Sequence, residues 1–160
     1  MRKLALLSLT FTLLSAACHR PAPAPAPPPA PPGVDPAMSA LPLLERLARE
    51  ASARPTGTLR AEEVLAALER GGLTLRKTQQ VLASTVGAAY CTSSATSRGV
   101  AVAVCEYPAE AVARRGLEYS HRVFDRLIPD RRLLLNRKTM LTVTGADADA
   151  KRAADIFAAL

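Results

Sequence analysis

Apolar positions change their period several times along the chain, and each change predicts an element. An unbroken apolar run occupies Leu4 to Ala17, shorter than the roughly 20 residues a membrane-spanning helix needs. Pro21 to Pro32 holds only proline and alanine, so it cannot build a core. From Leu41 the spacing turns helical. Leu41, Leu44, Leu47, Ala48 and Ala51 predict an amphipathic helix over 40–52 with that stripe facing inward, ended by Arg54-Pro55-Thr56-Gly57. A second helix is predicted over 59–70, with Thr58 as N-cap, Glu62 and Glu63 at its positive end, Val64, Leu65 and Leu68 inward, and Gly71-Gly72 as its stop. Residues 73–85 fit neither period cleanly and read as a short strand or loop followed by an irregular segment.

Beyond residue 85 the period falls to two. Residues 86–92 and 99–107 are strand-like runs around the polar turn Ser93 to Arg98, which predicts a β-hairpin. Alternation puts Val86, Tyr90, Val100, Val102 and Val104 on one face and Gly87, Ala89, Cys91, Ala101, Ala103 and Cys105 on the other. Pro108 then opens a long helix to about Leu127. Its inward stripe, Ala109, Val112, Ala113, Gly116, Ser120, Val123, Phe124 and Leu127, begins with small residues that permit close approach to a sheet. Leu133 to Leu135 and Met140 to Thr144, joined through Asn136-Arg137-Lys138, form a second hairpin, and a last helix starts at Asp147 and Asp149. Strands and helices do not alternate as in a βαβ chain. The pattern therefore predicts an α+β fold, an antiparallel sheet of about four strands in two hairpins with helices packed mainly on one face.

The start of the chain changes the picture more than its composition does. Arg2 and Lys3 precede the apolar run, and Leu14-Ser15-Ala16-Ala17-Cys18 closes it, the layout of an exported protein's signal peptide. Small residues directly before a cysteine resemble the bacterial lipobox, with Ser15 three places before the cysteine and Leu14 one place further back. Membership of the lipoprotein class would make Cys18 the first mature residue and acylate it. Three acyl chains would exceed the two membrane signals that stable anchoring takes. His19 stands where inner-membrane retention usually places an aspartate, so the resemblance implies an outer-membrane lipid anchor with the domain in the periplasm or at the surface. The expected organisation is a signal peptide over 1–17, a lipidated cysteine and Pro/Ala-rich linker over 18–37, and one α+β domain over 38–160. In polyproline II form Pro21 to Pro32 would reach about 37 Å, a semi-rigid spacer.

Export gives the cysteines a reading. Centring the first hairpin's turn on Arg98 sets Cys91 opposite Cys105 on one face, and an oxidising compartment would join them. The closed loop of about 15 residues would contribute about 3 kcal/mol. Cys18 is then the odd cysteine, and acylation accounts for it. The competing reading makes Cys91 and Cys105 a redox pair, although the chain has no Cys-x-x-Cys and no histidine near either in sequence.

The formal charge of +7 falls to +5 when Arg2 and Lys3 are lost with the signal peptide. Arginine outnumbers lysine 17 to 4, which a GC-rich coding bias would also produce. One constellation deserves a function: Arg122, Arg126, Arg131, Arg132, Arg137 and Lys138 crowd the long helix's end and the second hairpin against Asp125 and Asp130. They suit either a solvated face or an anion-binding surface. For an envelope protein the polyanions at hand are lipid headgroups, lipopolysaccharide and peptidoglycan, not nucleic acid. No phosphate loop, zinc-protease helix, nucleophile elbow or metal-spaced carboxylate cluster is present. His121 sits on a charged helix face and His19 beside the anchor. The sequence thus predicts a non-enzymatic binding or structural lipoprotein with no cofactor, partnered by the membrane and by an envelope protein or anionic polymer. A periplasmic redox accessory or enzyme using Cys91 and Cys105 is the alternative.

Overall fold

The computed structural model describes residues 30–32 and 35–160. The expected signal peptide, Cys18 and most of the Pro/Ala stretch lie outside the described residues. A helical turn, α1 (Pro36–Ser39), is followed by α2 (Leu43–Ser52), α3 (Ala61–Arg70), β1 (Gln79–Val81), β2 (Tyr90–Ala95), β3 (Ala101–Glu106), α4 (Glu110–Phe124), β4 (Arg131–Asn136), β5 (Thr139–Thr144) and α5 (Ala148–Ala158). A 3-10 turn, Ala83–Val86, links β1 to β2.

The sheet is antiparallel throughout, in the order β1-β2-β3-β5-β4. It contains both expected hairpins and a fifth strand: β1 is only three residues long, too short to leave a period in the sequence. Because β5 lies between β3 and β4, α4 carries the chain over one sheet face and returns it parallel to β3, one strand further on. The other face takes α3 and α5, whose Val64, Leu65, Leu68, Ala150, Ala153 and Phe157 pack with Tyr90, Val102, Val104, Leu141 and Val143. Under α4, Cys91, Cys105, Tyr107, Ala113 and Met140 form the second core. Gly116 allows that approach. A Cβ there would stand 2.6 Å from the Tyr107 ring.

Register in the first hairpin is the expected one, with Cys91 opposite Cys105. The strands are shifted along it. Ser93, Ser94 and Ala95 pair with Ala103, Val102 and Ala101, and the turn occupies Thr96 to Val100, where the Thr96 amide donates to the Val100 carbonyl at 2.8 Å. Val86 belongs to the 3-10 turn and packs beside the disulfide, not with Tyr90. The long helix ends at Phe124, so Leu127 falls beyond the buried stripe and is 71% exposed.

The largest departure is α2. Its predicted inward stripe is not buried: Leu44 is 79% exposed, Ala48 and Ala51 are exposed, and Leu41 and Leu47 are only half-buried, while Glu50 is buried. The Glu50 carboxylate accepts from the Ala83 and Ser84 amides at 2.9 and 3.1 Å, capping the 3-10 turn. Arg46 donates to Ser84 Oγ, and Gln80 Nε2 to the Leu47 carbonyl, so the polar face is the docked one. Helix α3 starts at Ala61, not at Leu59, and Thr58 does not cap it. The Arg60 amide donates to Glu63, and the Ala61 amide donates to Glu106 at the end of β3.

Candidate functional site

The two cysteines are joined, with their Cα atoms 4.2 Å apart, the close spacing of a pair that exchanges no backbone hydrogen bonds. Both are buried under α4 among Ala83, Tyr107, Ala113 and Met140. Both also line a small pocket of about 190 Å³ whose wall includes Val86, Phe124 and Arg131. Burial also pushes the Tyr107 phenol far above its usual range, so it stays a neutral donor toward the Val86 carbonyl.

The six basic residues do not form one patch. Arg122, Arg126 and Arg132 are exposed at the end where α4 runs into β4. Arg137 and Lys138 make the β4–β5 turn at the other end of the strand, about 17 Å away at strand rise. Lys138 donates from Nζ to the Thr56 carbonyl at 2.9 Å. Arg131 is taken up internally: its side chain is 5% exposed, Nη2 donates to the Ser120 carbonyl and to Asp125, and the guanidinium lies 5.4 Å from the Phe124 ring centre. Arg131 holds the Asp125 carboxyl below its usual value, with His121 Nδ1 at 2.8 Å adding to the effect. Among the described residues, Arg132 and Arg137 have no acidic partner.

Between those two arginines runs an open strand. Among the described residues β4 pairs with β5 alone, and a groove of about 560 Å³ runs beside it, lined by Leu133, Leu134, Leu135, Asn136 and Arg137 and by Phe157 and Ala158 of α5. Leu133 to Leu135 are half-buried. This arrangement can offer backbone donors and acceptors, apolar contact and two free cations to something extended.

Two buried ionic sites were not foreseen. Glu106, fully buried at the end of β3, accepts from Arg54 through Nε at 3.3 Å and through a short contact to Nη2, as well as from the Ala61 amide at 2.8 Å. Arg54 also reaches Glu62 with both terminal nitrogens at 2.8 Å and lies 3.9 Å over the Tyr90 ring. That bidentate contact lowers the Glu62 carboxyl and, with Glu106, raises the Arg54 guanidinium. Arg98, in the β2–β3 turn, grips the buried Asp149 at the start of α5. Glu106 had a signal: an acid in a strand between Cys105 and Tyr107. Arg54 had none, because its partners are 8 and 52 residues away.

Among the described residues no three His, Cys, Asp or Glu side chains gather as a metal cage, and no helix is long and apolar enough to cross a membrane. Comparison with known proteins returns no match to a protein family, a curated protein or a solved structure.

Proposed function

We propose that this chain is an envelope lipoprotein, anchored to the outer membrane through Cys18, whose α+β domain is a non-enzymatic binding module for an envelope protein or anionic polymer. The observation that supports it most is the buried Cys91–Cys105 bond. It occupies both cysteines of the domain, suits an oxidising compartment, and leaves Cys18 directly behind a signal-like run. The exposed Arg132 and Arg137 beside an open strand supply the contact surface. The alternative, a periplasmic redox accessory, needs a sulfur that a partner thiolate can reach, and Cys91 and Cys105 are only 1% and 5% exposed.

Cell fractionation with thiol titration tests the two together. The wild-type chain should sediment with outer membranes and be released by detergent but not by salt. Cys18→Ser should appear in the soluble fraction, and mild reductant should expose no thiol in the folded chain. Wild type recovered in the cytosol, or a disulfide reduced within minutes by dilute dithiothreitol without unfolding, would overturn the reading.

A further inference from the structure

Natural sheets blunt their edges with very short strands, proline, bulges or a covering element. At one edge this sheet does so: β1 is three residues long and begins with two glutamines. At the other it does not. β4 is a six-residue strand, Arg131–Asn136, without proline, and pairs with β5 at every position with no bulge. Among the described residues, no hydrogen bond from outside the β4–β5 ladder reaches Leu133, Leu134 or Leu135. Alternate residues of an edge strand turn their amides and carbonyls outward, so about three residues of β4 present an unfilled ladder. The groove beside them is walled on one side by Phe157 and Ala158 of α5. An extended peptide laid there would pair with the strand and turn alternate side chains toward the helix.

Charge selects the occupant. A second copy pairing antiparallel about Leu134 would set Arg132 against Asn136, Arg131 against Arg137 and Asp130 against Lys138, so each copy would bring four cations and one acid to the seam. The edge therefore disfavours itself. An incoming strand with acids at both ends would instead meet Arg132 and Arg137, which are exposed and without acidic partners among the described residues. We propose that the β4 edge receives, as a sixth strand, an extended segment of a partner protein that is apolar in its middle and acidic at both ends. This deepens the binding-module reading and does not depend on the lipid anchor.

The test is amide hydrogen exchange of the full chain by NMR, with a blocked peptide of alternating valine and threonine carrying two glutamates at each end. Controls are the same peptide ended in lysines, and one N-methylated at alternate amides. The glutamate-ended peptide should slow exchange at amides within Leu133–Leu135, and both controls should bind about tenfold more weakly or worse. Arg132→Glu with Arg137→Glu should invert the preference between acidic and basic peptides. Unchanged β4 exchange, equal binding of the two end charges, or β4 protection that rises with protein concentration in the absence of peptide would each overturn the proposal. So would lipopolysaccharide or soluble peptidoglycan fragments competing for Arg132 and Arg137 while the acidic peptide leaves β4 exchange unaltered. Loss of the membrane anchor would not change any of these readouts, so the two proposals fail separately.

Discussion

Glu106 joins the start of α3, the segment after α2 and the end of β3 through one buried carboxylate, and replacing it should cost more than any surface charge in the molecule. Glu106→Gln keeps the shape and an acceptor for the Ala61 amide but removes the charge facing Arg54. A hydrogen bond to a charged group contributes about 1.5–3 kcal/mol, and breaking a buried pair from one side costs about 3–5 kcal/mol. Arg54 retains Glu62, whose side chain is 60% exposed, so the loss belongs near the lower end, about 2–3 kcal/mol. Urea unfolding at neutral pH, with the disulfide oxidised, should then show a midpoint about 1 M or more below wild type. A double-mutant cycle with Arg54→Met isolates the pair, and its coupling should be about 1.5 kcal/mol or more, the double variant losing less than the two singles added. Glu106→Gln within about 0.5 kcal/mol of wild type, or additive singles, would refute the assignment of stability to this network.

Removing the staple by Cys91→Ala with Cys105→Ala should lower stability by about 3 kcal/mol in the same assay, and an effect under about 1 kcal/mol would show that the closed loop does not constrain the unfolded chain. Gly116→Ala should destabilise by about 1–2 kcal/mol even though alanine favours helix by about 1 kcal/mol, because the new methyl meets the Tyr107 ring, fixed by burial. A stabilised Gly116→Ala would disprove the close approach. Glu62 is lowered from 4.5 by its bond to Arg54, so its contribution should be intact above pH 4.5 and lost as pH falls through the lower folded value. Acid titration of stability should show that loss in wild type and its absence in Arg54→Met. By the same logic the Asp125 carboxyl should titrate below 3.8 by NMR, and Arg131→Met should return it toward 3.8.

The first hairpin was readable because two independent constraints agree in it: alternation assigns the faces, and the turn's centre fixes the register, so Cys91 and Cys105 could meet in only one way. The insertion of β5 between β3 and β4 was not, since no local period encodes which strand a distant one will choose. In α2 the apolar stripe is left mostly uncovered for an energetic reason. Burying one leucine gains about 1.5–3 kcal/mol, comparable with each of the two charge-assisted bonds that Glu50 makes to Ala83 and Ser84, and those amides lie more than 30 residues away. In sequence Arg131 reads as one more free cation for the same reason. Nothing near it in sequence says that Asp125, the Ser120 carbonyl and Phe124 will close around it, whereas Arg132, one residue on, points to solvent as a strand's alternation requires.

The proposed anchoring at Cys18 would give the disulfide, the spacer and the choice of partners a common setting, and metabolic labelling with an alkyne-bearing palmitate tests it most directly. The wild-type chain should take up the label and begin at Cys18 by intact mass, and Cys18→Ala should take up none. An unlabelled wild-type chain that still carries Met1 would contradict the account.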